Sequence, residues 1–176
     1  MITNYQSIEY LKEGNQVQKK VYKTIKKFDI LEKLQPYHPI VVGTFPLQLN
    51  VENSDIDIIG QTSNFNETID DLIEKFCHNH QFKIELAEEN ETKYIICTFW
   101  IKKFKVEIYL EDKTPTDQIA YRHMVIEAKI LAKMGDTFKE NVIQLKNKGI
   151  KTEEAFAQLL QLKGNPYEAL LTYPID

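Results

Sequence analysis

Two aspartates, Asp55 and Asp57, carry the strongest chemical signal in the chain. In Ser54-Asp55-Ile56-Asp57-Ile58-Ile59 a strand sends both carboxylates to one face and Ile56 and Ile58 to the other. Like charges held that close repel unless something positive lies between them. A hard divalent cation, Mg2+ or Mn2+, meets that need, and Mg2+ is commonly held by one or two carboxylates together with substrate phosphates. The bland alternative is a half-buried strand whose outer face is acidic and solvated, since any such strand alternates with period two.

The residues upstream weigh toward chemistry. His38-Pro39-Ile40-Val41-Val42 reads as a short, buried, β-branched strand. It runs into Gly43, which tolerates backbone angles closed to other residues and lets a ligand approach the chain. Thr44 adds a hydroxyl and a backbone N–H at the turn, and donors at such turns suit phosphate oxygens. The order is strand, phosphate-compatible turn, loop, then a strand with paired carboxylates.

That order resembles the nucleotidyltransferase superfamily of the DNA polymerase β type. Its signature is an apolar residue, Gly, then Gly or Ser, a gap, and an acidic–apolar–acidic–apolar quartet. Val42-Gly43-Thr44 and Asp55-Ile56-Asp57-Ile58 fill those places, with eleven residues between Gly43 and Asp55. Thr44 departs from the usual Ser but keeps the hydroxyl, and Phe45-Pro46-Leu47 is bulkier than the small residues common there. The chain is similar to the small uncharacterised bacterial families of this superfamily, with a looser likeness to GrpB-type proteins around Ala120-Tyr121-Arg122-His123. The motif itself covers only Val42 to Ile58.

The resemblance implies an NTP as donor, Mg2+ or Mn2+ as cofactor, and nucleotide contacts from Gly43, Thr44 and Ser54. It also implies a third carboxylate on a later strand. Glu107, in Val106-Glu107-Ile108, is the best match by flanking apolar residues, and Glu85 is its competitor. Asp55, Asp57 and Glu107 would then be metal ligands and catalytic residues of phosphoryl transfer. The plain alternative for Glu107 is a surface pair with a neighbouring lysine.

These residues need elements to hold them. Ser7 to Glu13 reads as a short helix stopped by Gly14. Asn15 caps a longer helix whose apolar face is Val17, Val21, Ile25, Phe28 and Leu31. Its lysines, Lys19, Lys20, Lys23, Lys26 and Lys27, read as a solvated face. After the motif, Asn66 caps a helix expected to run to about His80, with His78 and His80 at its end. A strand over Gln81 to Ala87 completes a β-α-β unit. An acidic turn, Glu88-Glu89-Asn90-Glu91, leads to a central strand over Lys93 to Ile101. In the next strand Phe104, Val106, Ile108 and Leu110 share one face, with Lys105, Glu107 and Tyr109 on the other.

Thr114 with Pro115 opens a helix to about Met134, bearing Gln118, Arg122 and His123 as possible substrate contacts. Gly135 breaks it, and a second helix runs from Asp136 to the Lys146–Gly149 stop. A last helix from Thr152 to Leu162 packs through Phe156, Leu159, Leu160 and Leu162, and Pro166 to Leu171 adds a turn.

The whole reads as a single α+β domain of α/β-like character: N-terminal helices over 1–37, a mixed sheet with the signature over 38–112, and C-terminal helices over 113–176. The 176 residues are 43% hydrophobic and 27% charged with net charge −4, which argues against a strongly basic nucleic-acid binder. The expected acceptor is a small molecule or protein hydroxyl ahead of an RNA end. Cys77 and Cys97 lack CxxC spacing and read as free buried thiols. Met1-Ile2-Thr3-Asn4-Tyr5 has no leader pattern and no apolar run is of membrane length, so cytoplasmic residence is expected. Two further readings stand beside the enzyme: a nucleotide- or protein-binding module that keeps the fold without turnover, and one half of a partnered, toxin–antitoxin-like system.

Overall fold

Alternating apolar side chains on the middle strands bury one sheet face, and the polar alternates on the other build the site. The computed structural model describes residues 3–175; Met1 and Ile2, on which part of the leader reading rests, and Asp176 lie outside them. The helices are α1 (Glu9–Lys12), α2 (Gln16–Lys27), α3 (Ile30–Lys33), α4 (Thr44–Leu47), α5 (Phe65–Phe76), α6 (Ile119–Asn147), α7 (Thr152–Leu159) and α8 (Pro166–Leu171). The strands are β1 (Ile40–Val42), β2 (Ile56–Gln61), β3 (His80–Glu89), β4 (Thr92–Ile101) and β5 (Phe104–Glu111). They form one mixed sheet in the order β1-β2-β5-β4-β3, in which β2 and β5 pair in parallel and the other neighbours antiparallel.

Two apolar layers sandwich this sheet. On one side Ile56, Ile58, Val106, Ile108, Leu110, Ile95, Cys97 and Phe99 pack under α1, α2, α3 and α5. On the other, Ile40, Val42 and Ile59 meet α6, α7 and α8 through Met124, Ile130, Phe138, Phe156 and Leu170. Alternation along β1 and β2 therefore feeds both layers. The second layer covers only part of its face, and the uncovered part is the cleft described below.

Local chemistry sets the boundaries. Asn15 caps α2 in a reciprocal box: its Oδ1 accepts from Val17 and Gln18 N–H, and Gln18 Oε1 accepts from Asn15 N–H. Asn90 and Glu91 both take positive φ, 47° and 65°, which gives the two-residue β3–β4 hairpin its twist. Gly135, at φ 77° and ψ −171°, breaks α6 into two segments where the sequence places its stop. The lysines Lys20, Lys23, Lys26 and Lys27 of α2 are exposed.

Several expected boundaries shift. Asn64, not Asn66, precedes α5, and that helix stops at Phe76, so His80 opens β3 instead of ending a helix. Thr114 does not cap the later helix: a 3-10 turn over Pro115–Asp117 intervenes and Gln118 stands at the N-cap of α6. The β2-α5-β3 crossover exists, but β3 lies at the far edge because β5 and β4 fill the space between. β4 is an interior strand, as expected, paired with β5 on one side and β3 on the other. Both cysteines are free thiols, but only Cys97 is buried as expected; Cys77, at the C-terminal end of α5, is exposed. No helix among the described residues is long and apolar enough to cross a membrane.

Candidate active site

Register assembles the carboxylates. Parallel pairing of β2 with β5 sets Asp57 opposite Glu107, and antiparallel pairing with β1 sets Val42 on the other side of Asp57. Asp55, two residues back along the same face, stands beside Lys105, whose ammonium donates to Asp55 Oδ2 at 2.7 Å and lies 3.6 Å from Glu107 Oε2. A lysine thus occupies the space between two of the three acids. Glu85 is elsewhere: it lies on the edge strand β3, paired with Ile96.

Asp57 sits in the tightest surroundings. Burial, then the charges of Glu107 and Asp55, push its carboxyl up to about 7, against the partial relief of Lys105 and Lys146. Lys105 is pushed upward, chiefly by its hydrogen bond to Asp55. Gly43 leans directly on Asp57. A Cβ on Gly43 would collide with the Asp57 carboxylate, and φ of 76° with ψ of −143° is a glycine conformation. The turn after β1 therefore brings main chain against the acid with no side chain between.

The bulk of Phe45-Pro46-Leu47 turns inward. All three are buried, and Phe45 packs edge-on against Phe104 with ring centroids 5.8 Å apart. Gln18, buried on α2, donates from Nε2 to the carbonyls of Phe45 at 2.9 Å and Pro46 at 3.3 Å. Its Oε1 accepts from Gln48, whose own Oε1 accepts from Lys139 on α6. One glutamine thereby ties α2 to α4 and holds the Gly43-Thr44 turn in place.

In front of the acids opens a cleft of about 960 Å3, between the polar sheet face and α6, α7 and α8. Gly43, Thr44, Asp57 and Glu107 line it. Tyr94 and Tyr109 stack at 5.0 Å on its sheet side. The sequence-predicted contacts divide. Gln118 and His123 reach the cleft, but both are buried and tied to the frame. Gln118 Nε2 donates to the carbonyls of Gly60 and Lys113, and His123 Nε2 sits 2.8 Å from Tyr167 O with Glu153 3.8 Å from Nδ1. Arg122 is exposed and lines a separate groove with Tyr121 and Lys129. Ser54 closes the preceding loop instead, its Oγ accepting from Val51 N–H at 2.8 Å, and it does not line the cleft.

Sequence reasoning puts Lys105 on the face of Glu107, where it makes the lysine pair given as the plain alternative, at 3.6 Å, but it misses Glu127 and Lys146. Lys105 was legible, two residues before Glu107 on the same strand face. Glu127 and Lys146 carry no local signal: they lie on the two segments of α6 and come near each other only because the helix breaks at Gly135. Burial pushes Glu127 well above its ordinary value, with Glu153 adding to the rise, and pulls Lys146 below its own.

The donor set suits a hard cation: three carboxylates, two of them face to face on neighbouring strands. Among the described residues no ready-made group of three metal-ligating side chains is present. Asp55, held by Lys105, would have to exchange that partner to join Asp57 and Glu107.

With the geometry in place, the fold can be compared with solved ones. A mixed sheet carrying its acids beside a glycine turn, with helices on both faces, is nucleotidyltransferase-like. The chain superposes on the Cid1 poly(U) polymerase bound to MgGTP with TM-score 0.54 at 15% identity, over 79% of this chain and 46% of that one. For a Cid1 mutant bound to MgATP the figures are 0.54, 14%, 93% and 53%. For a cytoplasmic RNA terminal U-transferase they are 0.50, 14%, 89% and 46%. The chain thus spans about half the length of these structures. Residues 23–173 match the family described as domain of unknown function DUF4269, and the chain belongs to that family. No curated protein matches it.

Proposed function

We propose that the protein transfers a nucleoside monophosphate from an NTP to an acceptor hydroxyl, with Mg2+ or Mn2+ as cofactor. The observation that carries this reading is Asp57 facing Glu107 across paired strands, directly behind the Gly43 turn and at the floor of a cleft. The shared fold supports it, since Cid1 is described with MgGTP and MgATP bound.

Asp57 and Glu107, joined by Asp55, would hold the divalent cation. When bound, it supplies charge neutralisation for the phosphates and for the oxygens forming and leaving at phosphorus. The chain's own residues do the rest. Gly43 lets the main chain close against the Asp57 carboxylate, and Thr44 beside it offers its N–H and hydroxyl to phosphate. Glu107 would take the acceptor's proton. Lys105 balances the acids until substrate arrives. Two of the three carboxylates, Asp57 and Glu107, line the cleft, and turnover requires Asp55 to leave Lys105 and join them.

Calorimetric titration with ATP, GTP, CTP and UTP in Mg2+ tests the proposal, on the native chain and on the Asp55→Asn, Asp57→Asn double variant. The expected result is metal-dependent binding of one nucleotide, lost in the variant. Absence of binding for all four at millimolar concentration overturns it.

A further inference from the structure

The cleft extends beyond the acid pair, and its further lining is rich in carboxyl groups. Besides Asp57 and Glu107, it is lined by five glutamates, Glu89, Glu111, Glu127, Glu153 and Glu168, against two lysines. Acidic lining alone means little, but two buried oxygens point the same way. Gln118 Oε1 and Glu127 Oε1, on residues 1% and 4% exposed, lack a hydrogen-bond partner among the described residues. Gln118 cannot turn its oxygen inward to the frame, because its Nε2 is fixed by two carbonyls. Lys146, a cation whose charge acts on Glu127, donates to Thr152 Oγ1 at 2.6 Å. Buried acceptors without donors are costly, and a ligand that brings donors removes that cost.

We infer that this lining binds the acceptor and that the acceptor is a small polycation, carrying two or more protonated amines beside its reactive hydroxyl. An ammonium is three donors and no acceptor, the complement of a pocket of unpartnered acceptors and carboxylates. A polynucleotide end has the opposite charge and is disfavoured there. The inference rests on the transferase reading for its chemistry. The acceptor oxygen bonds to the α-phosphorus, and the bond from that phosphorus to the bridging oxygen breaks. The electron pair leaves with pyrophosphate, and the hydroxyl proton passes to Glu107.

The test compares two molecules with one skeleton, 1,3-diaminopropan-2-ol and glycerol, titrated into the full chain at low salt. Spermidine serves as a longer amine, and Mg2+ with each NTP is titrated separately. The diamine is expected to bind at least ten-fold tighter than glycerol. Glu127→Gln and the rim variant Glu168→Gln should each weaken it several-fold, while Glu52→Gln, outside the cleft, should not. The rim variant keeps the test open if Glu127→Gln fails to fold. Equal binding of diamine and glycerol, or equal weakening by Glu52→Gln, overturns the inference even where a nucleotide binds. Amine binding with no nucleotide bound overturns the transferase reading and leaves the polycation site standing.

Discussion

Asp57 is an acid held where its charge is unwelcome, with a folded value of about 7 against 3.8 for an ordinary aspartate. Between those values the folded chain holds a proton that the unfolded chain has released. Stability therefore falls as pH rises from about 4 to about 7, and the loss is complete above that. Asp57→Asn removes the liability. In chelator at pH 8 its melting temperature should exceed that of the native chain by roughly 3–8 °C, with the gain shrinking toward pH 4. The same substitution should abolish metal-dependent nucleotide binding, so stability and function move in opposite directions. Lys105 is the built-in counter-charge. Lys105→Gln leaves Asp55 and Glu107 without their cation. In chelator it should melt slightly lower, as suits a part-exposed pair of about 1 kcal/mol or less. Its melting temperature should then climb more steeply with added Mg2+ than the native one does.

The decisive element is the short joint between β1 and α4. Gly43 combines a glycine-only conformation with contact against Asp57. Gly43→Ala should cost about 2–4 kcal/mol from backbone strain and the forced shift of the carboxylate, read as a lower urea midpoint, and should weaken nucleotide binding. Gln18 supports the joint from behind. Gln18→Leu strips hydrogen bonds from the Phe45 and Pro46 carbonyls and should cost about 1–3 kcal/mol. A loss of nucleotide affinity in that variant, far from any ligand contact, would be the signature of a displaced turn.

At the scale of the whole molecule, the cleft exists because the C-terminal helices cover only part of a sheet face. Phe156 locks them in place, fully buried and edge-on to Phe138 at 5.5 Å. Phe156→Ala should cost about 3–5 kcal/mol and lower the melting temperature by around 10 °C. It should also loosen the wall carrying Glu127, Glu153 and Lys146. The N-terminal helices stabilise the opposite face, so their lysines stay in solvent, remote in role from the acidic cleft.

The strands that matter, and the faces their side chains take, are legible in local sequence. Alternation in Asp55-Ile56-Asp57-Ile58 and in Phe104 to Leu110 survives any rearrangement of the rest. Gly43 was legible too, because a glycine that ends a β-branched run marks a sharp turn or a close approach of main chain. Adjacency came from the tertiary fold. Glu107 and Glu85 are alike in sequence, and only the order β1-β2-β5-β4-β3 sets one opposite Asp57 and the other at an edge. The same holds for α6: periodicity gives a helix, but the rotation that buries His123 and exposes Arg122 comes from packing on α8 and the sheet. Strand alternation is written in the backbone, whereas strand order and helix rotation are set by which apolar surfaces meet.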